Sequence, residues 1–313
     1  MKQAFKATSK NNELTDKVIS FTVSEECELL EFLLEHVKGK SRNNIKAMLS
    51  RGDVTVNGKV KKHYDFLLRA SNTVEIGQKK QAYYQINPLL DIIYEDDDIV
   101  VINKPSGLLS MSTDKEKDNT AYHYVTDYVK LKNQNNRVFI VHRLDRETSG
   151  IIMFAKSQKM KFALQEHWNE LVQYRGYTAV VEGKPEKDSG KITTWLKETT
   201  THFVYSSGHI GDGLEAITNY RVIKQNDEYS LLEVWLDTGR KNQIRVHMSE
   251  MGNPIAGDKK YDAQTNPIKR ICLHANKLEF KHPFTGEIMS FQVRSTNKML
   301  ALAKNKNNVN VTL

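Results

Sequence analysis

Val141-His142-Arg143-Leu144-Asp145-Arg146-Glu147-Thr148-Ser149-Gly150 is a polar stretch set between two apolar runs, Val138 to Val141 and Ile151 to Ala155. Both runs are short and rich in β-branched residues, and they read as buried strands. Between them the chain places the carboxylate of Asp145, with Glu147 two residues on, among two arginines, a histidine and two hydroxyls. A loop strung between two strands presents its side chains from a rigid frame. Cations beside a carboxylate favour its charged form, so Asp145 is expected to stay ionised. An ionised carboxylate held in a cleft can act as a nucleophile or a base. Taken alone, an aspartate in such a loop is more often an ordinary surface turn with a salt bridge.

The chain has 313 residues, room for one large domain and a small one. Its apolar share of 39% supports a sizeable core, and its net charge of +8 favours a polyanionic partner. So modest an excess is equally met by proteins that are merely basic and soluble. Cys27 and Cys272 stand far apart without a C-x-x-C partner and are expected to be reduced, as in a cytoplasmic protein. No apolar run is long enough to span a membrane, and the polar start, Met1 to Asp16, lacks the apolar core of a signal peptide. Neither a G-x-G-x-x-G nor a G-x-x-x-x-G-K-[ST] pattern is present, so no nucleotide cofactor is expected.

Composition and breaks divide the chain into a polar tail (1–16), a small unit (17–80), a linker (81–90), a large domain (91–300) and a second polar tail (301–313). In the small unit, Ser24 with Glu25 and Glu26 reads as the start of a helix that carries Leu30, Leu33, Leu34 and Val37 and stops at Gly39. Ser41 caps a second helix, with Ile45, Met48 and Leu49 on its apolar face and Gly52 at its end. Val54 and Val56 alternate into Asn57-Gly58, a tight-turn signal, and Val74 and Ile76 suggest a closing strand. The polar face carries Lys38, Lys40, Arg42, Lys46, Arg51, Lys59, Lys61 and Lys62. Arg42 and Lys46 share one helix face, where like charges cost stability unless an anion neutralises them.

In the large domain, Ile92 to Tyr94 and Ile99 to Asn103 read as strands around the acidic turn Glu95 to Asp98. Lys104-Pro105-Ser106-Gly107-Leu108 follows. Thr120 to Lys132 and the segment after Ser157, with Met160, Leu164, Trp168 and Leu171, have helical spacing, and Trp168 reads as core. Tyr177, Ala179 and Val181 share one face of a strand. Residues 184 to 214, with Gly208, Gly211 and Gly213, read as a flexible loop. Two strands follow, Ala216 to Ile223 and Tyr229 to Leu236. Ile244, His247, Met248 and Met251 then recur at helical spacing, and a hairpin built around His282-Pro283-Phe284-Thr285-Gly286-Glu287 closes the domain.

His142-Arg143-Leu144-Asp145 with Thr148-Ser149-Gly150 resembles the signature of the RluA-type pseudouridine synthases. Lys104-Pro105-x-Gly107, Tyr177-x-Ala179-x-Val181-x-Gly183 and Gly239-Arg240-x-Asn242-Gln243-Ile244-Arg245-Val246-His247 resemble further motifs of that family in the expected order, except that histidine is usual at the position of Asn242. Ser41-Arg42-x-x-Ile45-Lys46-x-x-Leu49 leading into Val54-x-Val56-Asn57-Gly58-Lys59 resembles an S4 RNA-binding domain, over roughly residues 20 to 80. Together the two resemblances imply an α+β fold: a mixed, mostly antiparallel sheet with a central cleft, preceded by a small α+β S4-like unit.

They also imply a cytoplasmic, monomeric, cofactor-free and metal-free enzyme that converts uridine to pseudouridine in RNA, with large-subunit ribosomal RNA the expected partner. The implied catalytic residues are Asp145, Tyr177 and Arg245. Asp145 would attack ribose C1′ or uracil C6, or serve a glycal route. Arg245 would pair with Asp145, and Tyr177 would stack on the flipped uracil and help remove a proton. Arg143 is implied as the group that fills the gap in the stack. Lys104 is expected beside the cleft in contact with RNA, and Arg42, Lys46 and Lys59 on phosphates. Two other classes fit parts of the pattern. A non-catalytic RNA-binding protein would have no reason to hold Asp145, Tyr177 and Arg245 together. A metal-dependent RNA hydrolase using His142, Asp145 and Asp96 to Asp98 would need converging ligands where the sequence places cations.

Overall fold

The computed structural model describes residues 19–37, 39–51, 53–61, 63–76, 90–114 and 116–304. It divides into two compact units, Met1–Pro88 and Leu89–Leu313. The predicted tail 1–16, residues 305–313 of the second tail and the linker up to residue 89 lie outside the described residues, as do Lys38, Gly52 and Lys62.

The first unit runs β1 (Ile19–Thr22), β2 (Cys27–Glu28), α1 (Leu29–His36), α2 (Arg42–Arg51), β3 (Val54–Val56), β4 (Lys59–Val60), β5 (Leu67–Leu68) and β6 (Thr73–Ile76). Four strands form an antiparallel sheet in the order β1-β6-β3-β4, and β2 pairs with β5. Leu29, Leu30, Leu33, Ile45, Leu49, Val54 and Val74 make its core. Asn57 and Gly58 take φ of +50° and +74°, the left-handed pair that a two-residue hairpin requires. Ser41 Oγ accepts the N–H of Asn44 at 3.3 Å, as expected of a helix cap. The start of α1 differs from expectation. Cys27 and Glu28 are drawn into pairing with Leu67 and Leu68, and the helix begins only at Leu29.

The second unit contains β7 (Ile92–Glu95), β8 (Ile99–Lys104), α3 (Ala121–Lys132), β9 (Phe139–Ile140), β10 (Ser149–Ala155), α4 (Gln158–Glu166) and α5 (Trp168–Leu171). There follow β11 (Val172–Glu182), β12 (Ser189–Glu198), β13 (Val204–Ser207), β14 (Leu214–Gln225), β15 (Tyr229–Leu236), α6 (Gln243–Glu250), a 3₁₀ turn (Lys259–Tyr261), β16 (Leu273–Lys281), β17 (Ile288–Gln292) and α7 (Asn297–Leu302). Among the described residues the strands form one sheet of 11, ordered β13-β12-β14-β15-β11-β16-β10-β8-β7, with β17 on β16 and β9 on β10. The expected mixed, mostly antiparallel α+β sheet is therefore present: β10 and β16 pair in parallel and the other pairings are antiparallel. The parallel contact sets Gly150 against Ala275, and Gly150 has φ +116°. A Cβ at Gly150 would lie 2.1 Å from the Ala275 carbonyl oxygen, so no side chain fits where the two strands meet.

Two expectations are corrected here. Residues 184–214 contain the ordered strands β12 and β13 on the sheet's edge rather than one flexible loop. The domain also runs past residue 300, because α7 packs Met299 and Ala303 into the core. The acidic turn is a hydrogen-bonded connection: Asp96 Oδ1 accepts the N–H groups of Asp98 and Ile99 at 2.8 and 2.7 Å.

Candidate active site

Strands β9 and β10 carry the loop Val141–Thr148 between them, as their apolar sequences require, and every residue of β10 is buried. The loop is anchored from below. Lys104, at the end of β8, is fully buried, and its Nζ donates to the carbonyls of Pro105, Leu108 and Arg146 at 3.0, 2.7 and 3.1 Å. Ser106 Oγ donates to the Glu147 carbonyl at 2.6 Å, and Ser110 Oγ donates to the Leu144 carbonyl at 2.7 Å. His142 Nε2 accepts the N–H of Met153 at 3.0 Å; burial and the charge of Arg175 push this imidazole down to about 4, so it is neutral. The expectation that Lys104 contacts RNA is thereby overturned. Its ammonium is spent on three carbonyls inside the protein, and burial pulls it down to about 7 against the opposing pull of Asp145.

Asp145 lies on a cleft of about 410 Å³ that Arg143, Tyr177 and Arg245 also line. Its carboxylate is 22% exposed and stands 3.7 Å from Arg245 Nη1. Burial raises its pKa; Arg245 and Arg143 oppose this, Asp258 adds to it, and Lys104 opposes it weakly. The three cations thus oppose the rise without cancelling it.

Arg245 comes from α6, where helical spacing points it inward, and it is held more tightly by another acid. Its Nε and Nη2 donate to the two oxygens of Asp258 at 2.6 and 2.7 Å, a bidentate pair. Nη1 donates to Asn242 Oδ1 at 3.2 Å, and the guanidinium carbon sits 4.9 Å from the centroid of the Tyr261 ring. Asp258 thus fixes the guanidinium, which offers Nη1 to Asp145. Asn242 precedes α6 with φ +55°, a backbone that asparagine tolerates well, and its Nδ2 donates to Tyr261 Oη at 3.0 Å.

Gln243 braces the loop before α6. It accepts from Thr238 Oγ1 and Arg240 N–H, both at 2.9 Å, and donates to the Ile217 carbonyl and Thr218 Oγ1 at 3.0 and 2.9 Å. Tyr177 reaches the cleft from β11, beside a register shift between Gly176 and Tyr177 in its pairing with β16. Burial pushes its phenol up to about 12; Arg175 opposes and Asp145 adds. It is a neutral hydroxyl near pH 7, suited to stacking and hydrogen bonding. A base role would need a shift in the other direction.

The structure therefore brings Asp145, Tyr177, Arg245 and Arg143 together and withholds Lys104. Arg42 and Lys59 are exposed on the first unit, and Lys46 lies 4.5 Å over the Tyr64 ring. Sequence reasoning missed Asp258, Gln243 and the cleft-facing Trp168. Asp258 stands in Ile255-Ala256-Gly257-Asp258, which continues the resemblance without marking a role for the carboxylate. Among the described residues no three His, Cys, Asp or Glu side chains converge as a metal site. No helix among them is long and apolar enough to cross a membrane.

Fold and cleft define a sheet-based catalytic domain in which a half-buried carboxylate faces a fixed guanidinium. The family model of RNA pseudouridylate synthases matches residues 98–250. The uncharacterized RNA pseudouridine synthase YlyB of Bacillus subtilis (strain 168) is 33% identical over 92% of this chain and 97% of its own length. Ribosomal large subunit pseudouridine synthase D of Neisseria meningitidis serogroup B is 31% identical over 84% of this chain and 74% of its own. The human RNA pseudouridylate synthase domain containing 4 structure shares the fold at a TM-score of 0.57 and 22% identity, covering 70% of this chain and 94% of that one. The chain belongs to the RNA pseudouridylate synthase family. It is an RNA pseudouridine synthase.

Proposed function

We propose that this enzyme isomerises uridine in structured RNA of the large ribosomal subunit, with Asp145 as nucleophile. The observation that carries the assignment is the geometry of Asp145, a partly exposed carboxylate on the cleft, 3.7 Å from an arginine that Asp258 already grips. The reaction breaks the C1′–N1 bond, turns the uracil and forms a C1′–C5 bond. The C5 proton leaves and N1 gains one, so no outside group is consumed. The base must first leave its stack, at a cost of a few kcal/mol, about as for other base-flipping enzymes. Arg143, exposed on the cleft's rim, takes its place; Tyr177 stacks on the uracil; Arg245 keeps Asp145 oriented and favours its anion. The ribosomal target is supported by the N. meningitidis relative, named for the large subunit. The first unit supplies phosphate contacts through Arg42, Lys46 and Lys59, as its S4-like pattern implies.

The test is release of tritium from uracil C5 in transcribed ribosomal RNA, together with mapping of pseudouridines in RNA from a strain lacking the gene. Release of label, and one or more missing pseudouridines in large-subunit RNA, are expected. Sites missing from transfer RNA alone overturn the ribosomal assignment. Strand cleavage in place of tritium release overturns the reaction.

A further inference from the structure

Arg143 lines two cavities. One is the cleft of Asp145; the other, of about 490 Å³, adjoins it and shares Val141, His142, Arg143 and Gln165 as a common wall. That wall is firmly built. His142 is tied to the Met153 N–H, and Gln165 Nε2 donates to the carbonyls of Ile140 and Val141 at 3.2 and 3.3 Å. The second cavity is bounded by Val138, Phe139 and Ile140, with Met111 and Tyr122 beside them and Lys161 among its polar groups. Met111 is 37% exposed and leaves its thioether open on this cavity.

We propose that this second cavity takes the base of a nucleotide flanking the target uridine in the same RNA strand. The proposal rests on the pseudouridine synthase mechanism above. A guanidinium inserted at the position of the flipped uracil also parts the neighbouring bases. A neighbour that leaves the stack presents two apolar faces and a charged phosphate. Phe139, Tyr122 and Met111 offer apolar contact, and Arg143 and Lys161 offer cations to the phosphate. This is the combination by which unstacked strands are held without strict sequence readout. Continuity with the cleft selects RNA as occupant, since any ligand here lies one side chain away from the uridine. Arg143 then has a base on either side of it, and the enzyme favours targets whose flank is unpaired.

The experiment uses a short RNA spanning a mapped target site, with each flanking nucleotide in turn made abasic, and kcat/KM measured by tritium release. The protein is the full chain, unaltered or as Tyr122→Ala or Met111→Ala, with melting temperatures checked for each. One abasic flank is expected to cost the unaltered enzyme about tenfold, the scale of one lost stacking contact. Each variant is expected to show a similar loss on the intact RNA and little further loss on that abasic RNA. If all abasic flanks are tolerated, or if the losses from protein and RNA changes multiply, the second base site is overturned while the activity stands. If the unaltered enzyme releases no tritium from intact RNA, the functional assignment fails and takes the second site with it.

Discussion

Asp145 is held in a form that favours chemistry over stability. Its pKa is raised in the folded protein by burial, against Arg245 and Arg143. The folded state therefore holds this proton better than the unfolded chain, whose carboxylate titrates at about 3.9. At low pH the group costs nothing. As pH rises through the folded value, ionising it in place takes stability away. Asp145→Asn is accordingly expected to abolish isomerisation, leave RNA affinity little changed, and raise stability at pH 7 by about 1 kcal/mol, a common size for relief of a strained site. Denaturant titrations from pH 7 down to about pH 4, near the unfolded carboxylate's own value, check this, because the advantage must shrink as the carboxyl takes up its proton.

Lys104 gives the opposite profile. Its folded value of about 7 lies far below the 10.5 of a free lysine, so the unfolded chain binds the extra proton between those values and stability rises with pH across that window. Lys104→Met removes that rise and leaves three carbonyls without their donor. It is expected to cost roughly 1–3 kcal/mol at pH 9, the penalty of unsatisfied buried groups, and to lower kcat more than it raises KM. Melting curves at pH 7 and pH 9 and steady-state tritium release test the two parts. The place of Asp145, Arg143 and Arg245 on one cleft was legible because their motifs are long. That of Lys104 was not, since a lysine in a short Lys-Pro-x-Gly pattern looks the same whether its ammonium meets phosphate or carbonyl. Asp258 was hidden for a similar reason: only folding brings its carboxylate to the far side of Arg245.

Among the elements, β10 is the most constrained. It was legible from Ile151 to Ala155 as an unbroken apolar run, and the structure shows why: it is buried throughout and paired with β8, β9 and β16. Gly150→Ala drives a methyl group into the Ala275 backbone at a φ of +116°. The expected loss is roughly 1–3 kcal/mol for the overpacking and more for the backbone, read as a lowered denaturation midpoint. Tritium release at a temperature where the variant is folded should fall too, because β10 carries the Asp145 loop. Elements with mixed faces were harder to see. Strand β12 alternates exposed and half-buried residues near the sheet's edge, and the glycines after it resemble loop composition. Ser24 and two glutamates mimic a helix start, but long-range pairing of Cys27 with Leu68 outweighs this local preference.

At the scale of the molecule, the division into two units follows the composition, and each unit closes its own core. If Arg42 and Lys59 meet phosphates, Arg42→Gln and Lys59→Gln should each flatten the slope of log affinity against log salt by roughly 0.7 to 0.9. Filter binding between 50 and 200 mM salt, the range of about 10³-fold effects for such proteins, checks this, and an unchanged slope would mark the face as merely solvated. The family match ends at residue 250, yet β16 begins at Leu273 and is the strand that joins β11 to β10. Asp145 belongs to the half of the sheet with β10, β8 and β7; Tyr177 belongs to the half with β11, and among the described residues the two halves meet in the sheet only through β16. During translation both halves leave the ribosome before the strand between them does. A nascent chain that has not yet released residues 273–281 lacks the strand that joins the two walls of the cleft, so the order of synthesis itself sets when the cleft can assemble.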